Sequence, residues 1–235
     1  MCCIIISKPA GIAVPSIDTL KNCWDRNSDG AGYAIAKNGV VRIHKGIMTW
    51  REFAKIDFAA LTPFACIFHF RWATHGSKSA GNTHPFPVTG DMRKCKRAAD
   101  VAIAHNGVIP RVRIVKDDYS DTMSYIEKRI APYWKECKKR GSYMFSVKAS
   151  RKILLDETGS KWAFLYPNGH IINVGQGIKV DGVWFSNNGF RSSHAYPPIH
   201  TAWTPGETAS QDWNPDPDWV NWYNNRPAIS MAGMY

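Results

Sequence analysis

"MCCIIIS" (residues 1–7) is the stretch on which the reading of this chain turns. Two cysteines, three isoleucines and a serine have the length and β-branching of a buried strand, with Cys2 and Cys3 as small apolar residues at its start. A second reading is chemical. If Met1 is removed, Cys2 carries a thiol and an unblocked α-amine together. Strand alternation then turns Cys3 to the opposite face, which predicts a core position for it. The stretch alone leaves both readings open.

Working outward, residues from about Ser16 to Asn27 read as a helix with Ile17, Leu20 and Trp24 on one face and Ser16 as N-cap. "AGYAIAKNGVVRIHKG" reads as a hairpin, because Asn38-Gly39 is a two-residue turn signal between apolar runs. "TWREFAKIDFAAL" looks helical. "FACIFHFRWA" (64–73) alternates as a strand before a polar loop that runs through Gly90, and "VAIAHNG" (101–107) is another strand. A helix is expected from about Ser120 to Lys139, interrupted near Pro132, and a second from about Ser142 to Leu155. "KWAFLYPNGHIINVG" is a further hairpin, followed by "GVWFSNNG" as a strand. Strands paired locally and interspersed with helices favour antiparallel sheets covered by helices over a doubly wound parallel sheet.

The chain has 235 residues, 44% hydrophobic and 21% charged, enough for one sizeable globular domain. It has no apolar run of ~20 residues to span a membrane and no basic-then-apolar secretory leader, so a cytoplasmic location is expected. The six cysteines include no CxxC pair, which argues against zinc and thioredoxin-like chemistry. A net charge of +11 concentrates partly in "RKCKRAAD" (93–100) and "KECKKRGS" (135–142). Such clusters bind phosphates or steer acidic partners, but they also serve as plain solvated surface, and no nucleic-acid-binding motif accompanies them. From about Ser192 the composition shifts to Pro, Trp, Asn and Ser. This gives a division into a domain over 2–191 and an irregular tail over 192–235 whose tryptophans argue against simple disorder.

Four polar islands stand at strand ends, in loops or at a helix start: "RNSDGAGYA" (26–34), "HFRWATHGSKSAGNTHPFP" (69–87), "AHNG" (104–107) and "SDTMSYIE" (120–127). Singly, each has an ordinary explanation: Asp29-Gly30 and Asn106-Gly107 as turns, Ser120 or Asp121 as a helix cap, Arg71-Trp72 as a stacked surface pair. In order behind an N-terminal cysteine, "RWATHG", "NTHPF", "HNG" and "SDT" resemble the class II glutamine amidotransferases of the N-terminal-nucleophile hydrolase superfamily. The resemblance spans roughly residues 2–191. It implies an α+β fold, a four-layer αββα sandwich of two mainly antiparallel sheets, with the nucleophile at the exposed start of a central strand.

By position, the resemblance implies Cys2 as the catalytic nucleophile and Asn106 with the Gly107 N–H as oxyanion hole. It implies Arg71 as the grip on the glutamine α-carboxylate and Asp121 as acceptor for the α-ammonium. Trp72, Thr74 and His75 fall in the segment that lines and closes over the pocket, and Arg26, Asn82 and His84 are supporting residues, Arg26 near the nucleophile and His84 fixing its loop. The family uses no metal or other cofactor, so none is expected at His69, His75, His84 and His105. Asn27 stands where many members have glycine, a position at which asparagine's tolerance of left-handed backbone would be useful.

The chemistry of these residue types agrees. Glutamine is a zwitterion with a neutral carboxamide, so a selective pocket needs one cation and one anion set apart. Arginine grips a carboxylate with two parallel hydrogen bonds, which lysine cannot. An N-terminal cysteine supplies nucleophile and base in one residue, since an α-amine titrates near ~7.7–8.0. With Met1 retained, that nitrogen is an amide and cannot act as a base.

The leading expectation is therefore a stand-alone glutaminase, of the type encoded by phages and bacteria beside ATP-dependent ligases. It would use L-glutamine and deliver ammonia to a synthetase or amidoligase on a separate chain, in a host cytoplasm if phage-encoded. Two alternatives keep the fold. One is hydrolysis of other γ-glutamyl amides or peptides; the other is a non-catalytic basic protein, for which nucleic acid is a possible but less favoured partner.

Overall fold

The computed structural model describes residues 3–73 and 77–192. The chain begins with β1 (Ile4–Lys8), whose five residues are all buried. Ser16 caps α1 (Ile17–Arg26) by accepting from the Thr19 N–H, as its sequence predicts. The hairpin β2 (Ala31–Lys37) and β3 (Val40–Ile47) turns at Asn38-Gly39, both with positive φ (53° and 71°). That is the backbone a two-residue turn needs to match strand twist. Then follow α2 (Trp50–Phe53), β4 (Cys66–Phe70), β5 (Phe86–Pro87), β6 (Lys96–Ala99) and β7 (Ala102–Asn106). The second half holds α3 (Asp121–Tyr125), α4 (Ala131–Lys139), α5 (Lys148–Thr158), β8 (Lys161–Leu165), β9 (Ile171–Val174), β10 (Ile178–Val180) and β11 (Val183–Phe185).

Two sheets form, one in the order β10-β11-β1-β4-β2-β3-β6 and the other β5-β7-β8-β9. Every pairing is antiparallel. Three apolar clusters define the layers. Ile4, Ile6, Phe68 and Phe70 of the larger sheet pack on Leu20, Cys23 and Trp24 of α1 and Phe53 of α2. Ile5, Ala34 and Ile67 of the larger sheet meet Ala102, Ala104, Ala163 and Leu165 of the smaller, an alanine-rich seam that lets the sheets approach closely. Ile103, Trp162 and Phe164 face Met123 of α3, Cys137 of α4 and Leu154 of α5. The result is the α+β, four-layer αββα sandwich expected from the sequence. Residue alternation explains the run of three isoleucines that opens β1: Ile4 and Ile6 serve the helical layer, and Ile5 serves the seam between sheets.

Some elements differ from expectation. "TWREFAKIDFAAL" makes one turn of α-helix and then a 3₁₀ turn over Ala59–Leu61, because Asp57 Oδ1 accepts from the Ala60 N–H and restarts the backbone. The helix over 120–139 is continuous but widens to a π turn at Ile126–Ile130, immediately before Pro132, whose missing N–H cannot serve the regular ladder. α5 begins at Lys148 rather than near Ser142, since Phe145 takes a left-handed backbone (φ 57°). The basic stretch 93–100 contains the edge strand β6, with Lys96 and Arg97 on an otherwise open sheet edge. Charged residues there discourage further strand addition. Arg93 pairs with Asp118 and Lys138 with Asp100, so part of each basic cluster is matched by surface acids. The tail beyond Ser192 lies outside the described residues. Among the described residues, no helix is long and apolar enough to cross a membrane.

Candidate active site

β1, β7, β4 and α3 direct the chemistry-bearing islands to one place. A cavity of about 30 Å³ is lined by Cys3, His69, Arg71, Trp72, Ala73, His84, His105, Gly107, Ser120, Asp121 and Thr122. Cys2, Thr74 and His75 lie outside the described residues. Cys3, which immediately follows Cys2, has its Sγ 3.3 Å from Asn106 Oδ1 and 3.6 Å from the His105 carbonyl. The Asn106 Nδ2 donates to Ser186 Oγ at 2.8 Å. Gly107 has φ +149°, and a Cβ there would come within 2.2 Å of Ser160 Oγ, so only glycine fits between the cavity and the start of β8.

Arg71 follows β4 and is 4% exposed. Its backbone is clamped from both sides, its N–H donating to the Gly30 carbonyl at 2.8 Å and its carbonyl accepting from the Asp29 N–H at 3.0 Å. One guanidinium nitrogen donates to the Ser77 carbonyl at 2.9 Å, and Asn82 Nδ2 reaches the same carbonyl at 3.2 Å. Burial lowers the Arg71 pKa, opposed by the charges of Asp29, Cys3 and Asp121, and the group remains a cation. Burial works against ionising Asp29, but a 2.7 Å ion pair with Lys78 and the Ala73 N–H outweigh it and hold its carboxyl below the usual range.

Ser120 caps α3 by accepting from the Met123 N–H at 3.2 Å. Asp121, the first helical residue, is therefore spared capping and turns to the cavity. Its Oδ2 accepts from the Ile109 N–H at 2.9 Å and its Oδ1 from the Thr122 N–H at 2.8 Å. A carboxylate oxygen has room for a further donor.

Three histidines pack behind the charged residues. His69 Nε2 donates to the His105 carbonyl at 3.0 Å, and His105 Nδ1 contacts Thr122 Oγ1 at 2.8 Å. The rings of His69 and His84 lie 4.1 Å apart, and His84 also abuts Phe86 at 4.4 Å. Burial pushes the pKa of His69 down to about 3 and, against the charge of Asp121, that of His105 to about 4; His84 is driven well below its ordinary value by burial and its cationic neighbours. All three are neutral imidazoles at physiological pH. Among the described residues, no group of three or more His, Cys, Asp or Glu is arranged to hold a metal ion.

The fold thus gathers Arg71, Trp72, Asp121, Gly107 and His84 around one cavity, with Asn106 and Asn82 directly behind its walls. Arg26 ends α1, its Cδ near Gly189. Two expectations are corrected. Cys3 is not a core residue: the ladder begins at Ile4, so strand alternation does not govern Cys3, and its thiol turns to the cavity. Asn27 does not use left-handed backbone (φ −145°); it closes α1, its side chain donating to the Cys23 carbonyl at 2.9 Å. The positive φ of that loop falls on Gly30 instead. Ser186, Ser77 and Lys78 were not expected at the site. For Ser186 a signal existed, a serine directly after the apolar triplet "VWF"; the other two carry none.

No family model matches the chain. A glutamine–fructose-6-phosphate aminotransferase (isomerizing) of Bacillus thuringiensis is 38% identical over 106 residues, covering 44% of this chain and 16% of that enzyme. The corresponding protein of Methanothermobacter thermautotrophicus is 31% identical over 121 residues, 50% of this chain and 19% of the relative. The chain is similar to class II glutamine amidotransferases. The likeness to these curated relatives spans less than a fifth of their length. Among solved structures, the glutamine phosphoribosylpyrophosphate amidotransferase of B. subtilis aligns with a TM-score of 0.34 and 18% identity, covering 79% of this chain and 41% of that one.

Proposed function

We propose that this protein hydrolyses the side-chain amide of glutamine through Cys2 and hands the ammonia to an acceptor enzyme on another chain. The observation that carries this reading is the pairing of a buried guanidinium, Arg71, with a buried carboxylate, Asp121, on one cavity beside the start of β1. That is the charge pattern a zwitterionic amino acid needs. The similarity to glutamine-using aminotransferases supports it.

In this reading Met1 is removed and the Cys2 α-amine takes the thiol proton. The thiolate attacks the carboxamide carbon, and the resulting oxyanion is held by an Asn106 Nδ2–H and the Gly107 N–H. The protonated α-amine gives its proton to the leaving nitrogen, and ammonia departs. Water then cleaves the γ-glutamyl thioester, releasing glutamate and restoring the thiol. Arg71 binds the α-carboxylate, Asp121 the α-ammonium, and Trp72, 41% exposed at the mouth, with Thr74 and His75 completes the pocket.

The test is ammonia release from glutamine by the mature protein. Cys2→Ala should abolish it, and Arg71→Lys should raise KM by ~10-fold or more with a smaller change in kcat. Equal release by Cys2→Ala contradicts the proposal. Stimulation on adding a candidate ligase would identify the acceptor.

A further inference from the structure

The geometry points to Ser186 as the residue that positions the Asn106 carboxamide for its role at the oxyanion; this rests on the glutaminase reading above. Ser186 follows β11 and is fully buried. Its backbone N–H continues the ladder by donating to the Ile5 carbonyl at 2.9 Å. The return bond is unusual: the Ile5 N–H is accepted by the Ser186 hydroxyl oxygen at 2.9 Å, while the Ser186 carbonyl accepts from Lys161 Nζ at 2.5 Å. The hydroxyl is thereby fixed in the larger sheet with one lone pair spent on Ile5. Its other lone pair accepts from Asn106 Nδ2 at the end of β7, in the smaller sheet.

The opposite end of that carboxamide is also held. Cys3 lies 3.3 Å from Asn106 Oδ1, where a thiol hydrogen can donate. Cys3 is itself anchored, its carbonyl accepting from Asn187 Nδ2 at 2.8 Å. With Nδ2 on Ser186 and Oδ1 on Cys3, the amide is held at both ends. One Nδ2 hydrogen goes to Ser186 and the second remains for a substrate oxygen. Rotating the amide by half a turn would present Oδ1, an acceptor, where the developing negative charge needs a donor. Ser186 therefore acts through Asn106 as a positioning residue, and Cys3 holds the other end.

The experiment is a double-mutant cycle on glutaminase kinetics with Ser186→Ala, Asn106→Ala and the pair, each checked for folding by its thermal transition. Ser186→Ala is expected to lower kcat by about 10-fold while KM for glutamine stays within about 2-fold. In the Asn106→Ala background the same change should cost nothing further, because the group it orients is gone. Ser186→Cys, which keeps an acceptor of similar size, should recover part of the rate and stands in if the alanine variant fails to fold. Additive losses, or a Ser186→Ala enzyme as fast as wild type while Asn106→Ala is slow, overturn the positioning role and leave the glutaminase reading standing. A wild-type protein without glutaminase activity overturns that reading and this inference with it, whereas an Asn106→Ala enzyme at the wild-type rate removes Asn106 from the oxyanion hole and overturns this inference alone.

Discussion

Gly107 shows how a single residue constrains the site. Its backbone N–H is a proposed oxyanion donor, its φ lies at +149°, and an added Cβ would meet Ser160 at 2.2 Å. Gly107→Ala should therefore destabilise the protein by about 1–3 kcal/mol, read from the denaturant midpoint, and lower kcat in the fraction that folds. Unchanged stability would show that β8 yields more easily than the packing implies. Asp121 is a different case, with its side chain both built into the backbone of 109–122 and proposed to meet substrate. Asp121→Asn keeps acceptor oxygen at one position only, so KM for glutamine should rise by ~10-fold or more, measured by ammonia release. A rise in KM for Asp121→Asn no larger than that of a distant surface substitution would remove Asp121 from the pocket. At this scale the sequence singled out Arg71, Gly107 and Asp121, which the structure brings to one cavity. It misled at Cys3, because whether a residue belongs to a ladder depends on where hydrogen bonding starts, which one strand cannot reveal.

At the scale of elements, the segment from Ala80 to Met92 carries Asn82 and His84 and has little regular structure of its own. It is held by Lys45 on β3, 4% exposed, whose Nζ donates to the carbonyls of Gly81, Thr83 and Met92 at 2.7, 3.0 and 2.6 Å. An ammonium has three hydrogens, matched here one to one. Burial pulls the Lys45 pKa down to about 7, yet three acceptors favour the charged form. Lys45→Met leaves three buried carbonyls without a donor and should destabilise by roughly 2–4 kcal/mol, with faster amide exchange concentrated in 79–92. Exchange that rises evenly along the chain would argue against a local clamp. Hairpins were the elements best predicted from sequence, since Asn38-Gly39 and Asn168-Gly169 specify their turns locally. The helix anticipated over 49–61 was lost to Asp57, a side chain that competes with the helical ladder, and β6 was hidden because an edge strand carries no buried face to give it a period.

For the whole molecule, three buried neutral histidines beside the cavity tie stability to pH. Unfolded histidine titrates near ~6.5, whereas His69 and His105 are pulled to about 3 and about 4. Between those values the unfolded chain takes up protons that the native one refuses. Stability is therefore complete above pH ~6.5 and falls as pH drops toward about 4, by a few kcal/mol in sum. The urea midpoint should decline steadily from pH 7 to pH 4, and His69 and His105 variants that still fold should show a shallower decline. A flat midpoint over that window would mean that the histidines are protonated in the native state. Antiparallel sheets covered by helices were readable from local strand pairing and helix patterning, while the four-layer order came with the motif resemblance; so did the convergence of three of the islands on one cavity, since sequence spacing alone does not bring Arg71, Gly107 and Asp121 together.

The proposed hydrolysis requires that Cys2, and not its neighbour, be the nucleophile. Labelling the active protein with a diazo-ketone analogue of glutamine and sequencing the N-terminal peptide by tandem mass spectrometry tests it most directly, because Cys3 is an internal control one residue away. The expected result is a modified peptide that begins at Cys2 with the label on that sulfur, lost in Cys2→Ala and reduced in Arg71→Lys. A label on Cys3, or labelled active protein that still carries Met1, would contradict it.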